Sequence, residues 1–158
     1  MFSYICSRKP VSIMESENDI RWIQRYDNFQ RACGRLLEVT ASGVSADSLS
    51  ELEREGLVQR FEYTFELAWK VLQDLLLAKG YDFVKGPNGT LQQALEDGVI
   101  ADHDGWRAMA KARTLTTHTY DEEDIINIVY DIFETYSSLL ADLDNTLGML
   151  AKAETCMD

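Results

Sequence analysis

The chain has 158 residues, of which 46% are hydrophobic, and a formal net charge of −12 from 15 Lys and Arg against 27 Asp and Glu. This length supports one domain with a real hydrophobic core, and this composition excludes a disordered chain. The acidic balance argues against duplex DNA and anionic membranes as partners, and no apolar run approaches the ~20 residues that a membrane span needs.

The cysteines Cys6, Cys33 and Cys156 are widely scattered and form no C-x-x-C pair. This spacing argues against a zinc site. A sparse, odd set of cysteines fits a reducing cytoplasm better than a disulfide scaffold. We therefore expect a cytoplasmic protein that carries no metal and no cofactor.

The N-terminal stretch MFSYICSRKPVSI does not have the pattern of a signal peptide, because Arg8 and Lys9 follow the apolar residues instead of preceding them. Met14 then opens MESENDI, which is typical of the first residues of a translated protein. We expect residues 1–13 to lie outside the fold. We further expect residues 1–17 to form a flexible N-terminal extension and residues 18–153 to form a single helical domain.

The first two predicted helices carry long apolar stripes. A helix from Asp19 to Thr40 would bury one stripe, made of Trp22, Tyr26, Phe29, Cys33 and Leu36. Ser48 and Glu51 have the spacing of a capping box, which predicts the start of a second helix ending near Gly80. Its stripe would contain Val58, Phe61, Phe65, Ala68, Leu72 and Leu75, widened by Trp69 and Leu76. Glu66 and Lys70 would pair on its outer face.

Two short helices are predicted after the turn KGPNGT (85–90). Thr90 and Gln93 have capping-box spacing, so the third helix would start there and stop near Gly98. Asp102 would cap a fourth helix. The core-facing residues of that helix would be Trp106, Met109 and Ala110.

The last predicted helix has the most regular pattern. Its apolar residues alternate by three and four without exception: Ile126, Val129, Phe133, Tyr136, Leu140, Leu143 and Leu147. This seven-residue repeat is typical of a bundle seam, packed within the chain, against a second copy, or both. The pattern as a whole predicts one all-α domain with three long helices and two short ones inserted before the last.

The segment RTLTTHTYDEED (113–124) places Arg113 at the next inward position of the fourth helix's stripe. Such an Arg must find a partner or line a groove, or it snorkels from a stripe that has already ended. In an unbroken helix His118 would lie about 140° away from it. Several Thr residues and two capping-box spacings, Thr119 with Glu122 and Asp121 with Asp124, predict a break at about 116–120. That break would let His118 approach Arg113.

Arg107 and Lys111 are four residues apart and, with Arg113, concentrate positive charge in an acidic chain. The three residues are candidates for a phosphate-binding site. A solvated face paired with nearby Asp residues explains them equally well. An Arg and a His together suffice for metal-independent RNA cleavage, since the His can move protons and the Arg can offset phosphate charge.

Three segments together resemble one protein family: RFEYTFELAWKVLQDLL (60–76), the stretch around ALEDGVI and WRAMAKAR, and RTLTTHTYDEE (113–123). The family is the nucleotidyltransferase substrate-binding proteins of the HEPN class, and the resemblance covers about residues 18–150. It implies an antiparallel, four-helix-bundle-like HEPN domain with about five helices, which forms a homodimer. In such proteins the residue that follows the position of Arg113 is commonly Asn, Asp or His; here it is Thr114.

The resemblance also implies a function. Its R-x4-H-x-Y motif falls on Arg113 and His118 as catalytic residues of a metal-independent ribonuclease and on Tyr120 as a modification site. The resemblance also implies that the motifs of the two protomers face each other across the dimer. Related toxins are silenced when a minimal nucleotidyltransferase, encoded nearby, adenylylates that Tyr. The resemblance thus predicts a toxin–antitoxin pair with an RNA substrate. The alternatives are a non-catalytic substrate-binding subunit of the nucleotidyltransferase and a structural helical dimer.

Overall fold

The computed structural model describes the backbone of residues 13–118 and 121–156, and within these residues all regular structure is helical. The helices are α1 (Ile13–Thr40), α2 (Glu51–Ala78), α3 (Pro87–Asp97), α4 (His103–His118), α5 (Glu122–Asp131) and α6 (Ser137–Thr155). A 3-10 turn (Ala46–Ser48) precedes α2, and a π-helical turn (Ile132–Tyr136) joins α5 to α6 as one rod. The predicted all-α class is confirmed.

Helix α1 begins at Ile13, six residues before the predicted start at Asp19. The intervening residues contain no Pro or Gly that would end a helix, so the first turns extend beyond the apolar stripe. The stripe itself is confirmed, with Trp22, Phe29 and Cys33 fully buried. The boundary between an extension and the domain stays a prediction, and residues 1–12 lie outside the described part of the chain.

Helix α2 starts with a capping box, but the pair is Ser50 with Glu53 and not Ser48 with Glu51. The Ser50 hydroxyl accepts from the Glu53 backbone N–H at 3.2 Å, and the Glu53 carboxylate accepts from the Ser50 N–H at 3.4 Å. The predicted Ser48 belongs instead to the 3-10 turn. This turn places Leu49 in the core, so Ser50 is the last extended residue before the helix.

The C-terminal end of α2 follows the prediction. Gly80 has φ +89°, and its N–H donates to the carbonyl of Leu77 while that of Tyr81 donates to Leu76. This is a Schellman ending, which requires the left-handed backbone that glycine adopts without strain. The predicted stripe of α2 is buried, and Lys70 pairs with Glu66 at 3.3 Å, both as expected.

Helix α2 is the centre of an antiparallel bundle and packs against α1, α3, α4 and α5. Arg25 pairs with the buried carboxylate of Asp74 at one end of α1, and Arg60 donates to the carbonyl of Arg35 near the other end. The partners on α2 thus decrease in residue number as the numbers along α1 increase, so the two helices are antiparallel. The Tyr26 hydroxyl contacts the Asp144 carbonyl, which places α6 beside α1.

Helix α3 starts at Pro87 and not at Thr90, so the predicted Thr90–Gln93 capping box is wrong. Proline at the first helical position has its φ preset, and Gly86 before it adopts φ +103°. Thr90 is instead buried inside α3. The Gln73 side-chain carbonyl accepts from the Gly86 N–H at 2.9 Å and ties this start to α2. The predicted stop at Gly98 is confirmed by its left-handed conformation.

The final rod differs from the predicted uninterrupted heptad helix. The π-helical turn inserts an extra residue into the repeat, so the core face runs through Ile128 and then Ile132, the first residue of the turn. It continues through Tyr136, the last residue of the turn, and then through Leu140, Leu143 and Leu147, and all four were predicted to be core residues. The predicted Val129 is also buried, whereas Ile126 and Phe133 are only half-buried. The spacing of the apolar residues fits an uninterrupted seven-residue repeat, so the sequence pattern does not predict the π-helical turn.

None of the helices in residues 13–118 and 121–156 is long and apolar enough to cross a membrane.

Candidate functional site

The N-terminus of α4 is fixed by Asp102, as predicted. Its carboxylate accepts from the Gly105 N–H at 3.0 Å, and its carbonyl accepts from the Trp106 N–H at 3.1 Å. Trp106 and Met109 are buried, which anchors the helix on the core. The inward stripe then continues through Ala112 and Thr116 and not through Arg113, which lies at its edge.

Arg113 is a partnered arginine. Its Nη1 lies 3.7 Å from Oε2 of Glu62 on α2, and each side chain is 24% exposed. Nε of Arg113 is buried and has no hydrogen-bond acceptor among the described residues. The 3.7 Å separation is too long for a good hydrogen bond. The guanidinium N–H groups can therefore still donate to another anion. Of the alternatives for Arg113, the structure favours the one in which it finds a partner.

The surroundings of Glu62 are acidic. A narrow crevice between α2, α4 and α5 is lined by Glu55, Glu62 and Asp124 together with Val58, Thr116, Ile125 and Ile128. An approaching phosphate would therefore meet repulsion from these carboxylates unless Arg113 exchanges Glu62 for it. Sequence analysis missed Glu62 as the partner. The available signal was that Glu55 and Glu62 are seven residues apart and share one face of α2.

The helix break lies after His118 and not before it. Helix α4 continues to His118, and α5 begins at Glu122 with Asp121 as its N-cap. The Asp121 carboxylate accepts from the N–H of Glu123 and not of Asp124. Positions 113 and 118 therefore lie on one continuous helix, about 140° apart. No break separates Arg113 from His118, so the predicted route by which a break brings them together is wrong. That the two side chains share a site stays a prediction, because the His118 side chain, Thr119 and Tyr120 lie outside the described residues.

The predicted phosphate-binding trio is divided between two faces of α4. Arg107 and Lys111 line a groove of about 730 Å³ between α3 and α4, whereas Arg113 faces Glu62 of α2. The rest of the groove is formed by Asn88, Leu91, Gln92, Leu95, Glu96, His103, Trp106, Ala110 and Thr114.

None of the Asp residues expected to neutralise Arg107 and Lys111 pairs with either of them among the described residues. Asp97 pairs with Lys79 at 2.9 Å, and Asp102 caps α4. Asp104 lies 3.5 Å from His103. Neither Arg107 nor Lys111 forms an ion pair with any residue that the structure describes. The groove therefore presents two uncompensated cations beside Glu96.

No group of three His, Cys, Asp or Glu side chains within the described residues is arranged to hold a metal ion. Cys33 is buried in the core and Cys156 is exposed at the end of α6, and both are free thiols.

The chain matches the model of the family "nucleotidyltransferase substrate binding protein like" over residues 24–149. It is 31% identical over 81 residues to a probable ribonuclease HepT from Haemophilus influenzae, covering 49% of this chain and 56% of that protein. The match thus spans about half the length of each. It also resembles the crystal structure of a protein from Thermus thermophilus, with a TM-score of 0.66 and 32% identity over 77% of this chain and 98% of the other. This chain therefore belongs to the nucleotidyltransferase substrate binding protein like family.

Proposed function

We propose that this chain acts with a nucleotidyltransferase as the toxin of a toxin–antitoxin pair. It would be a metal-independent ribonuclease that is silenced when its partner adenylylates Tyr120. The family match and the relative named as a probable ribonuclease support this proposal. The observation that carries it is the environment of Arg113, which lies on the helix that ends at His118. Its side chain is about three-quarters buried, and its one ion pair among the described residues, with Glu62, can be exchanged for a phosphate.

The cleavage chemistry needs only proton transfer and charge stabilisation. His118 takes the proton of a ribose 2′-hydroxyl, and the 2′-oxygen forms a bond to the adjacent phosphorus. The 5′-oxygen of the next nucleotide leaves and receives a proton from water, which gives a 2′,3′-cyclic phosphate and a free 5′-hydroxyl. The His118 imidazolium then returns its proton to the solvent. Arg113 leaves Glu62 and offsets the charge that develops on the phosphate oxygens.

The separation of positions 113 and 118 around α4 favours a site made by two copies of the chain. One protomer would contribute Arg113, and its partner would contribute His118. This arrangement requires an isologous homodimer, in which the same helix ends meet across a two-fold axis. Two equivalent sites would then form in each dimer.

Adenylylation of Tyr120 would silence the site for a direct physical reason. The modification adds a phosphate charge and a nucleoside two residues from His118. The phosphate would compete with RNA for Arg113, and the nucleoside would fill the space that the substrate strand needs. The transferase chemistry would belong entirely to the partner.

Cleavage is tested by incubating unmodified protein with tRNA in the presence of a metal chelator. We expect cleavage that is lost in His118→Ala and retained in His103→Ala, which removes the other histidine of the chain. Products that end in a 2′,3′-cyclic phosphate would support the mechanism. Intact RNA across several tRNA species would overturn the enzymatic part.

Silencing is tested by the intact mass of protein co-expressed with its neighbouring nucleotidyltransferase. We expect a mass increase of one adenylyl group, located on Tyr120 by peptide sequencing and absent from Tyr120→Phe. Modified protein should leave tRNA intact. Full nuclease activity in the modified protein would contradict this mode of control.

The second candidate function is a non-catalytic substrate-binding subunit, and the α3–α4 groove favours it. Arg107 and Lys111 are unpaired among described residues in a groove large enough for a nucleotide-sized ligand. In this case Arg107→Ala and Lys111→Ala would weaken the partner's use of its substrate without changing any RNA. Cleavage that depends on His118 would exclude this alternative.

A further inference from the structure

A second groove lies between α1 and α2. It encloses about 620 Å³ and is lined by Asn28, Arg31, Ala32, Arg35, Glu38, Gly56, Gln59, Arg60, Tyr63 and Thr64. Three of the 13 Lys and Arg residues between positions 13 and 156 meet here, in a chain with a net charge of −12. We call this surface the arginine groove.

The three arginines differ in how far they are neutralised. Arg31 pairs with Asp27 at 2.8 Å, and both side chains are about two-thirds exposed. Arg60 donates to the carbonyl of Arg35 at 2.7 Å and reaches the groove's one acid, Glu38, only at 3.8 Å. Arg35 forms no ion pair with any described residue. Exposed pairs of this kind contribute little energy and exchange readily for another anion.

The groove also offers an aromatic surface and free space. Tyr63 is 62% exposed, so its ring is open to a stacking partner. Gly56 faces the groove from α2, and a Cβ atom placed on it would meet no atom within 4 Å. The backbone thus opens the groove between the arginines, and an added side chain would fill it without displacing protein atoms.

We propose that the arginine groove binds single-stranded RNA, with phosphates on Arg35 and Arg60 and one base stacked on Tyr63. Guanidinium groups beside an exposed aromatic ring are the combination that holds single strands, because every base has a face to stack. A base within an A-form duplex is already stacked on both faces, so a duplex cannot use Tyr63. This proposal rests on the proposed function only in taking RNA as the ligand.

The arginine groove would hold a flanking part of the strand and not the reacting phosphate. Arg60 and Glu62 are two residues apart on α2, and this spacing turns them about 160° from each other. The groove and the Arg113 site therefore occupy opposite sides of the same turn of α2. Loss of the groove should thus weaken substrate binding while the chemistry at His118 is unchanged.

The first test measures binding of a fluorescent single-stranded hexamer with 2′-O-methyl riboses, which cannot be cleaved because the attacking hydroxyl is blocked. We expect Arg35→Ala to weaken binding roughly tenfold and to lower the salt slope of log K by about 0.7. The matched control is Arg54→Ala, which removes the same charge from the face of α2 near Glu122. Glu38→Gln should strengthen binding, because it removes the one acid among the described residues that line the groove.

The second test asks whether the RNA lies in the groove itself or is only attracted by the positive charge of the surface. Gly56→Leu should abolish most binding by filling the groove, whereas Gly34→Leu should not change it. Gly34 is the matched control because it is also helical, and its Cβ would also meet nothing within 4 Å. Tyr63→Leu should weaken binding at least about fivefold, while Tyr63→Phe, which keeps the ring, should bind as the parent protein does.

The proposal is overturned if Arg35→Ala and Arg54→Ala have equal effects, or if Gly56→Leu binds the hexamer normally. Competition by AMP or by duplex RNA as effective as that by the single strand would also overturn it. Failure of the proposed ribonuclease function is distinguishable, because it would abolish tRNA cleavage and leave the binding of the uncleavable hexamer and its response to these substitutions intact.

Discussion

Asp144 is a carboxyl whose charge the folded state disfavours. Its carboxyl is half-buried between α6 and α1, and Oδ1 has no hydrogen-bond partner among the described residues. Burial raises the pKa of this carboxyl, and the neighbouring Tyr26 hydroxyl offsets only part of the rise. The pKa values of Tyr26 and Cys33 are raised to about 12, first by burial and then by the Asp144 charge.

We predict that Asp144→Asn stabilises the protein at neutral pH, by on the order of 1 kcal/mol. The folded pKa lies above the unfolded value of about 3.9, so ionisation destabilises the folded state above the folded pKa. The gain should therefore vanish as the pH falls towards about 4. Urea unfolding across this pH range measures it, with the exposed Asp142→Asn as the control. A stabilisation independent of pH would contradict the electrostatic cause.

Asp97 should show the opposite pH dependence. Burial of its carboxyl acts to raise the pKa, but hydrogen bonds from Lys79 and Tyr81 outweigh burial, and the pKa is lowered. The stability that it contributes is present above the unfolded pKa of about 3.9 and is lost as the pH falls through the lower folded pKa.

We therefore expect Asp97→Asn to lower the free energy of unfolding by on the order of 1 kcal/mol at about pH 7, and to have no effect once the pH is well below about 3. The exposed Asp82→Asn serves as the control, since it changes the same charge nearby. Equal losses at both pH values would show that packing, and not the ion pair with Lys79, is responsible.

At this scale the sequence predicted residue types better than partners. Arg113 was singled out because its position beside an apolar stripe demands compensation, and the structure supplies Glu62. The choice of Glu62 depends on how α2 and α4 pack, which no local pattern determines. The arginine groove was missed for the same reason, because Arg31 and Arg35 meet Arg60 only after two helices pair.

At the scale of elements, the order and the core faces were predictable, and several helix starts and one register were not. Two Ser–Glu pairs with equal spacing compete to start α2, and the burial of Leu49 decides for Ser50. Pro87 overrides the capping signal of Thr90. The π-helical turn shifts the core face of the last rod by one residue, although every residue there has ordinary helix propensity.

Gly89 provides a test of how α3 is seated. A Cβ atom at this position would lie 1.8 Å from the carbonyl oxygen of Val84, a backbone atom that cannot move without the whole 81–86 loop. We predict that Gly89→Ala destabilises the protein by more than about 1 kcal/mol, although alanine is the better helix former.

The control for Gly89 is Gly34→Ala in α1, where the added Cβ meets nothing within 4 Å. This substitution should stabilise by about 0.5–1 kcal/mol through helix propensity alone. Thermal unfolding of both variants measures the contrast. A stabilised Gly89→Ala protein would show that the loop before α3 yields and that the wall of the α3–α4 groove is not fixed by this contact.

For the whole molecule, the central position of α2 links the Arg113 site with the arginine groove. One face carries Glu62 towards Arg113, and the opposite face carries Arg60 and Tyr63 into the arginine groove. Two routes to cooperation between Arg113 and His118 were predicted. The capping pattern predicted a break that would fold one chain back on itself, and the family resemblance predicted that the motifs of two copies face each other. Because α4 runs unbroken to His118, the cooperation must come from a second copy if the two residues share a site.

We predict that mixed dimers recover activity that neither parent has. Arg113→Ala and His118→Ala proteins should each be inactive on tRNA. In a dimer of one copy of each, the intact Arg113 of one protomer faces the intact His118 of the other, so one of the two composite sites is complete. After random exchange, half of the dimers are mixed, and activity should return to about a quarter of the wild-type level. Premixing under conditions that permit subunit exchange, with unexchanged protein as the control, measures this. Inactive mixed dimers, verified as mixed by a tag on one copy, would mean that Arg113 and His118 serve the site from the same chain or not at all.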